Sequence, residues 1–592
     1  MQKTNWERSR KHPSSMKSFK LLKPYFYQRR KLIIAGIACL MTVDVLQLFI
    51  PRVIKWAVDD LTALSIDLKG LALYAGQILL IAVLMAIFRF VWRRFLIGTA
   101  RVVEEGLRNR LFDHLQTLSA SYFDQSRTGD LMAHATNDIN NIRMAVGMGM
   151  VAFTDAVFLG VAAICFMAYI NIKLTLFALI PMPVIIFFTR KFGQKMHRRY
   201  TLVQQSFSGL TEVVRESFSG IRIVKAYNME DTEYSRLRQS SGDYIRENLK
   251  LVRITGSFFP MMVFFTNISL SIVIYLGGRQ TIAGIITAGD FVAFIHYLNL
   301  LTWPMMAMGW VTNLIQRGAA SLDRINKILE TRPEITDAPD AVSAASVSGR
   351  IDFEHVSFVY PGQAAKAIDD LSFSLPNGRV MGIIGPQGSG KTTLLKLIPR
   401  LYDVSSGRLT LDGTDVHRFK RDALRRHIGF VSQEPFLFSG TIRENLAFDK
   451  SIGEADLLRA ARAAALEETI NEFPKGLDTL VGEKGVVLSG GQKQRIVLAR
   501  ALIHEPRILL LDDPIGQVDT ATAAVIIDTI RSLAGERSII IASHRISAIQ
   551  FADTIQVLDQ GRIIESGTHD QLLAKGGYYA RTDQLQRLEN TR

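Results

Sequence analysis

Six apolar stretches constrain what this chain can fold into more than any other feature of its sequence. A helix needs about 20 mainly apolar residues to cross the hydrocarbon core of a membrane. The predicted spans are residues 32–54, 70–97, 146–170, 173–192, 254–277 and 282–310. Pro181 and Pro183 interrupt the fourth span, and neighbouring helices can satisfy the carbonyls that such prolines free. The sequence therefore predicts a six-span α-helical bundle.

The basic residues lie beside these stretches. The net charge is +15, and Lys and Arg crowd before the first span, after the second and after the fourth. The connection 55–69 carries Asp59, Asp60 and Asp67 instead. Because cytoplasmic loops carry the excess of Lys and Arg, both termini are predicted to be cytoplasmic in a multi-pass protein of the inner membrane. This distribution favours membrane orientation over nucleic-acid binding.

The remaining features of the first half concern its ends and loops. Residues 1–30 are predicted to be a cytoplasmic amphipathic arm, since they lack the uninterrupted apolar core of a signal peptide. Cys39 and Cys165 lie in apolar stretches, which predicts packing residues and no disulfide or metal site. The connections 99–148 and 191–251 have helical spacing, so they are predicted to extend the spans well beyond the membrane.

Ionisable residues inside spans are costly and often functional. Asp44, Arg89, Asp155 and His296 are the candidates, to line a substrate cavity or to pair with one another. Asp44, near the middle of the first span, is the best of them for a cavity. Among the Phe and Met residues of the last two spans, Phe265 and Met305 are candidates for an adaptable apolar pocket. Ordinary helix packing is the simpler interpretation of the same residues.

A Pro-, Ala- and Ser-rich stretch follows the last span, and short β-branched runs then alternate with helical segments. This order predicts a linker followed by a parallel sheet flanked by helices. The predicted domains are the arm 1–30, a membrane domain 31–325, a linker 326–349 and an α/β domain 350–592.

The strongest motif is a complete Gly-x-x-x-x-Gly-Lys-Thr phosphate-binding loop, placed after a predicted strand and before a helix. Backbone N–H groups of such a loop wrap phosphates, its Lys reaches the β- and γ-phosphates of ATP, and its Thr is a ligand for Mg²⁺. The residues predicted to bind the nucleotide here are Gly385, Gln387, Gly388, Ser389, Gly390, Lys391, Thr392 and Thr393.

Two further segments support the loop. The apolar run that ends at Asp512 predicts a partner strand whose carboxylate holds the Mg²⁺ shell. Between them lies Leu488-Ser-Gly-Gly-Gln, at a predicted helix start that can bind a second anion. Its candidate binding residues are Ser489, Gly490, Gly491 and Gln492.

These motifs, in this order after six spans, resemble the ATP-binding cassette (ABC) exporters along nearly the whole chain. The resemblance implies a half-transporter with a type I (also called type IV) exporter fold and an α/β P-loop cassette. It also implies roles for Tyr360 on adenine, for Gln433 near Mg²⁺ and the attacking water, and for His544 on the γ-phosphate. The tracts 122–130 and 220–228 match the coupling tips that dock on cassettes.

The sequence departs from the family pattern at the catalytic base. Where the family follows the metal-binding aspartate with Glu, this chain has Asp513. The next residues read Pro-Ile-Gly-Gln-Val before Asp519, where the family usually has Ala-Thr-Ser-Ala-Leu. Asp519 itself matches the family pattern, and the resemblance implies that it is a further nucleotide-binding residue. In the family, the P-loop of one cassette and the signature of the other enclose each ATP. A weak P-loop side with an intact signature predicts one subunit of a heterodimer with unequal sites.

The function implied is export of amphipathic or hydrophobic compounds, drug-like or lipid-like, driven by ATP with Mg²⁺. A homodimeric lipid flippase and a peptide exporter remain alternatives, and an ATP-gated membrane regulator that transports nothing is a remote one. The implied partners are a second half-transporter, the substrate and membrane lipid, without nucleic acid.

Overall fold

A computed structural model describes residues 18–343, 346–448, 452–482 and 488–590. Residues 1–17, most of the predicted N-terminal arm, lie outside the described residues. The chain divides into two compact units. One comprises the chain up to Gln116 with Thr128–Thr331, and the other comprises Thr117–Arg127 with the chain from Arg332 onward.

Six long helices form the first unit, and each contains a stretch long and apolar enough to cross a membrane. They are α1 (Arg30–Thr62), α2 (Leu68–Thr117), α3 (Thr128–Ile170), α4 (Ile172–Ser219), α5 (Glu230–Ile282) and α6 (Ala288–Glu330). Shorter helices cover Lys23–Gln28 and Ile221–Ala226. The six predicted spans and their long helical extensions are confirmed in the described residues.

Two predicted limits are wrong by several residues. The sixth span begins at Ala288 and not at 282, because Thr287 and Asp290 form a reciprocal capping box that fixes the helix start. At its other end α6 continues to Glu330, five residues into the predicted linker. The extra turn is held because Ile325 and Ile328 pack with Leu107 of α2 in one apolar cluster.

Apolar side chains in the first unit lie both inside and outside the bundle. Leu174, Phe294 and Tyr297 are fully buried at its centre. On α2, by contrast, Leu79 and Phe90 are largely exposed. A helix with apolar residues on its outer face suits a hydrocarbon environment, in which its backbone groups are already satisfied.

The second unit contains two sheets, and its strands run in chain order. They are β1 (Ile351–Phe358), β2 (Ile368–Leu375), β3 (Val380–Ile384), β4 (Ser406–Leu411), β5 (Thr414–Asp415), β6 (Ile428–Val431), β7 (Ile508–Asp512), β8 (Ser538–Ala542), β9 (Thr554–Asp559) and β10 (Arg562–Gly567). The antiparallel sheet has the order β2-β1-β4-β5. The larger sheet has the order β10-β9-β3-β8-β7-β6 and is parallel except at β10.

The central strands β3, β7 and β8 of the larger sheet are buried on both faces, as continuous apolar strands predict. Ile383, Leu510 and Ile540 face the cluster that includes the antiparallel sheet, whereas Leu511 and Ile541 face the opposite cluster. The helices used below are α7 (Lys391–Leu397), α8 (Gly490–Leu502) and α9 (Thr520–Ser532). Other helices of this unit are Ala120–Gln125, Arg421–Arg426, Ile442–Ala447, Glu454–Ala463, Glu467–Glu472, His569–Lys575 and Tyr578–Asn590.

Candidate functional site

The phosphate-binding loop lies between β3 and the start of α7. Gly388 and Gly390 have φ values of +77° and +105°, in the left-handed region that glycine adopts at little cost. A Cβ at Gly390 would also lie 2.6 Å from the carbonyl oxygen of Ala367. The loop therefore curls back over the helix start, a geometry suited to binding phosphate through backbone N–H groups. Gln387 is exposed at its tip and Ser389 is buried.

Lys391 lies at the base of this loop and is almost fully buried. Its Nζ donates to the carbonyl oxygens of Gly385 and Pro386, both at 2.9 Å. Burial lowers the pKa of Lys391, while the charges of Asp512 and Asp513 act to raise it. The ammonium group thus lies within electrostatic reach of both carboxylates that end β7.

Asp512 is only 3% exposed, and burial raises its pKa although the Thr392 hydroxyl donates to it. Among the described residues, its Oδ2 has no hydrogen-bond partner. A buried, unsatisfied carboxylate oxygen beside a hydroxyl is a donor set that fits Mg²⁺. Gln433 is exposed two residues after β6, and the pairing of Val431 with Leu511 places it at the same edge of the sheet.

Asp513 follows with a strained backbone and a restrained side chain. Its φ of +51° is rare for a residue with a Cβ. The Ser543 hydroxyl donates to Oδ1 at 2.9 Å, and the Gln494 amide donates to the backbone carbonyl. The other carboxylate oxygen lies where a side chain at Gly516 would begin. The carboxylate is therefore folded back toward its own loop.

His544 follows β8 and is half-buried near the same groups. Burial lowers its pKa, the charge of Lys391 lowers it further, and Asp513 acts in the opposite direction. The imidazole is therefore neutral near pH 7, so that it can donate one hydrogen bond and accept another. Its backbone carbonyl accepts from Gln586 at 2.6 Å.

Tyr360 lies beside α7, the helix that follows the loop. Its hydroxyl is 3.1 Å from the Thr393 hydroxyl, and its ring packs edge-on against Phe358 and Tyr402. The structure therefore brings the predicted adenine contact next to the P-loop helix.

The signature segment begins α8. The Ser489 hydroxyl accepts from the backbone N–H of Gln492 at 3.2 Å, and the Gln492 side chain accepts from the N–H of Ser489 at 2.8 Å. A Cβ at Gly491 would lie 2.8 Å from the backbone carbonyl oxygen of Gln517, and a Cβ at Gly490 would lie 2.5 Å from the side-chain Oε1 of the same residue. At Gly491 only glycine permits this approach of the helix start to the backbone of the loop after β7.

Asp519, which the sequence also predicts to bind nucleotide, caps α9. Its carboxylate accepts from the N–H and the hydroxyl of Thr522, at 2.9 and 2.7 Å. The structure gives it this local role and no hydrogen bond to the described P-loop residues.

Sequence reasoning missed Ser543, Gly516 and Gln494, which restrain Asp513. A signal was present for Gly516, because the family has serine at that position. Ser543 and Gln494 carry no local signal, since their contact with Asp513 depends on how three strands and a helix pack.

Two of the three predicted cavity residues of the membrane unit, Phe265 and Met305, belong to one apolar cluster, and Asp44 lies outside it. Met305 lines a small cavity, whose other lining residues are Met182, Ile185, Met262, Thr266 and Thr302. Phe265 stacks on Phe188 at 5.4 Å within the surrounding apolar cluster. Asp44 is not among the lining residues; it is buried on α1, where Leu40 and Val43 belong to another cluster.

The segment Thr117–Arg127 belongs to the second unit and covers the start of the predicted tract 122–130. The Tyr402 hydroxyl donates to Asp124 at 2.6 Å, and the Ser119 hydroxyl accepts from the N–H of Ile335 at 2.9 Å. Because Tyr402 also contacts Tyr360, a short chain of contacts joins this segment to the P-loop helix.

Comparison with known families agrees with this arrangement. The model of the ABC transporter transmembrane region matches residues 33–305, and that of the ABC transporter itself matches residues 368–516. Together they include the first five long helices and the P-loop.

Similar proteins match most of the length of the chain. YheI of Bacillus subtilis, described as a probable multidrug resistance ABC transporter ATP-binding/permease protein, is 37% identical over 93% of this chain and 95% of its own length. An ATP-dependent lipid A-core flippase of Syntrophus aciditrophicus is 36% identical over 82% of this chain and 80% of its own. The solved structure of a bacterial Atm1-family ABC exporter with ATP bound has a TM-score of 0.76 at 27% identity, covering 94% of this chain and 98% of that one.

Proposed function

Because the chain belongs to the ABC transporters, with the membrane domain and the ATP-binding domain fused in that order, we propose that it is one half of an ATP-driven exporter. It is an integral membrane protein that couples ATP hydrolysis to transport. The proposed cargo is an amphipathic or hydrophobic compound, drug-like or lipid-like, moved out of the cytoplasm across the inner membrane. The names of its relatives support this cargo class.

The observation that carries the proposal is the convergence of charged groups at one edge of the larger sheet. Lys391, Asp512, Asp513 and His544 come from three strand ends and act on one another electrostatically. This set suits a triphosphate: Lys391 and the loop N–H groups bind its phosphates, and His544 donates to the terminal one. A Mg²⁺ ion held by Thr392 and Asp512, with Gln433 nearby, would neutralise phosphate charge.

Asp513 is the residue we propose to be a weak base. A positioned base contributes about 10²- to 10⁴-fold to rate when it reaches the proton it abstracts. Here the aspartate side chain is one methylene shorter than the family's glutamate. The hydrogen bond from Ser543 and the free space beside Gly516 also keep its carboxylate folded toward its own loop, away from the attacking water. ATP bound at this P-loop would consequently turn over slowly.

We expect Asp513→Glu to raise ATP turnover by on the order of 10²-fold in the full-length chain reconstituted alone in nanodiscs. In such a homodimer every site has an intact signature, so the base limits the rate. Gly516→Ala should also raise turnover, by about threefold to tenfold, because a methyl group there displaces the Asp513 carboxylate. Steady-state phosphate release measures both effects.

Asp513→Asn is the matched control, since it keeps the side-chain length and removes the base; it should lower turnover further. A homodimer of the unmodified chain that already turns over ATP as fast as Asp513→Glu would contradict the weak-site proposal.

We further propose that the second half-transporter is a different protein, because a homodimer of this chain would have the weak Asp513 base at both P-loops, and that its cassette docks on an exposed tip of this chain. The helix Ile221–Ala226, at the turn between α4 and α5, presents exposed apolar side chains. Ile223 is 62% exposed and Tyr227 is 75% exposed. Large apolar side chains exposed together indicate an interaction surface, and a coupling tip that docks on the partner's cassette would be such a surface.

Transport is tested with the assembled transporter in proteoliposomes. We expect ATP-dependent movement of a fluorescent amphiphile, with ATP turnover stimulated about twofold to tenfold by the compound. Movement of a labelled lipid alone would favour the flippase alternative, which the lipid A-core flippase relative supports. ATP turnover without movement of either probe would contradict export.

The contact between Tyr402 and Asp124 offers a variant that separates hydrolysis from transport. Asp124→Asn weakens a charge-assisted hydrogen bond in the coupling segment and leaves the P-loop intact. We expect it to reduce transport at least fivefold while basal ATP turnover changes less than twofold. Asp130→Asn, an exposed change in the same tract, is the control.

A further inference from the structure

Two carboxyl groups from different spans meet inside the membrane unit. Asp44 on α1 is 1% exposed, and its carboxyl group lies near that of Asp155 on α3, within electrostatic reach of it. No N–H or hydroxyl group among the described residues donates to Asp44 Oδ2. The ATP-binding machinery described above does not use this pair.

The surroundings of this pair favour one bound proton. Ionised carboxylates only accept hydrogen bonds, so two of them side by side repel each other, and a proton on one of them removes that repulsion. The surrounding side chains of the cluster, among them Leu40, Val43 and Met85, offer no polar compensation. Two unpaired negative charges there would be costly, which favours the state with one shared proton.

Other charged groups on the helices that pack against α1 contribute little. Arg89 of α2 acts electrostatically on Asp44, but its guanidinium donates to Gln47 at 3.4 Å. On α6, Asp290 pairs with Lys55 at 2.6 Å, and His296 is exposed. The pair with its single proton is therefore left with one negative charge, which Arg89 balances in part.

An aromatic ring completes the site. Trp303 on α6 donates its indole N–H to Asp155 Oδ2 at 3.1 Å, while 55% of the residue stays exposed. A ring held by its edge has its face available, and tryptophan is the aromatic side chain that binds cations best. Negative charge and an aromatic face are thus combined where three helices meet.

We propose that Asp44, Asp155 and Trp303 form a binding site for a membrane-permeant organic cation, which the transporter takes up in exchange for the proton shared by the carboxyl pair. This inference rests on the proposed export function and names its substrate class. Binding breaks one O–H bond, and the proton passes to water. The second carboxylate charge that forms is neutralised by the cation, so charge and atoms balance.

The experiment uses the full-length transporter in nanodiscs without ATP. Binding of radiolabelled tetraphenylphosphonium is measured against triphenylphosphine oxide, a neutral compound of similar chemistry, from pH 6 to pH 8. We expect affinity for the cation to rise up to tenfold per pH unit, since binding releases a proton. A pH dye in weak buffer should record about one proton released per cation, and none with the neutral probe.

Asp44→Asn combined with Asp155→Asn should weaken cation binding at least tenfold and abolish proton release, with binding of the neutral probe unchanged. Asp44→Glu keeps a titratable pair and should retain proton release. Asp231→Asn, exposed in the first turn of α5, is the matched control. Thermal melting of each variant verifies folding.

Cation binding without proton release would overturn the inference, and so would a double variant that loses binding of the cation and of the neutral probe to the same extent. So would a double variant that behaves like Asp231→Asn. Because these readouts need no ATP, they are separate from the transport assay, whose failure would count against export itself.

Discussion

Replacing Ser489 by alanine should lower ATP turnover of the assembled transporter by about 10²-fold. The Ser489 hydroxyl and the free N–H groups at the start of α8 form a compact set of anion donors. If they face the ATP bound to the partner's P-loop, they act on charge that grows in the transition state. Removing one such donor from a preorganised site costs about 10²- to 10³-fold in rate. Phosphate release at saturating ATP measures the effect.

The chain itself supplies a control for the loss of the helix cap. Thr568 and Gln571 form the same reciprocal capping box at the start of His569–Lys575. Thr568→Ala should cost about 1 kcal/mol of stability, as Ser489→Ala does, because each removes one N-cap. Only Ser489→Ala should slow hydrolysis.

Comparing the ATP turnover of Ser489→Ala with that of Lys391→Ala then shows which of the two composite ATP sites hydrolyses ATP. If the competent site combines the partner's P-loop with this chain's signature, Lys391→Ala should reduce turnover much less than Ser489→Ala. Equal losses in the two variants would contradict unequal sites, and equal turnover in Ser489→Ala and Thr568→Ala would remove the catalytic role of Ser489.

Features with local physical causes could be predicted from the sequence. Six spans follow from apolar length alone, and the P-loop follows from glycines between a buried strand and a helix. The limits of elements were less secure. The start of α6 was placed six residues early because the apolar run 282–286 continues the preceding span, although Gly284 turns the chain with a φ of +69°. The Thr287–Asp290 capping pattern was the better signal.

Contacts between distant segments could not be predicted in the same way. Asp44 and Asp155 are both candidates from the sequence, but their proximity depends on how α1 packs on α3. Similarly, the sequence placed Asp513 at the catalytic position and suggested a weaker base. Its folded-back carboxylate depends on a φ of +51° and on Ser543, which follows a different strand. In both cases the sequence identifies the residues, but their positions relative to each other are known only from the folded structure.

Gly385→Ala should abolish nucleotide binding to this chain's P-loop, weakening it by at least 10²-fold. A Cβ at this position would lie inside the van der Waals contact distance of the Leu558 carbonyl oxygen and 2.9 Å from Ser389 Oγ. Leu558 cannot retreat easily, because β9 is paired with β3 on one side and β10 on the other. The loop must shift instead, and the hydrogen bond from Lys391 Nζ to the Gly385 carbonyl oxygen is then lost. Such overpacking also costs about 1–3 kcal/mol.

Subunit-resolved photolabelling with an azido-ATP measures nucleotide at each P-loop of the assembled transporter. Gly453→Ala is the matched change in the same cassette, since the nearest atom to its new methyl group would be 3.7 Å away. Labelling of this chain should disappear in Gly385→Ala and persist in Gly453→Ala, while labelling of the partner persists in both. Because the partner's site is the proposed competent one, Gly385→Ala should retain more ATP turnover than Ser489→Ala. Labelling of Gly385→Ala within twofold of Gly453→Ala would show that the loop tolerates the methyl group and that nucleotide binds by another route.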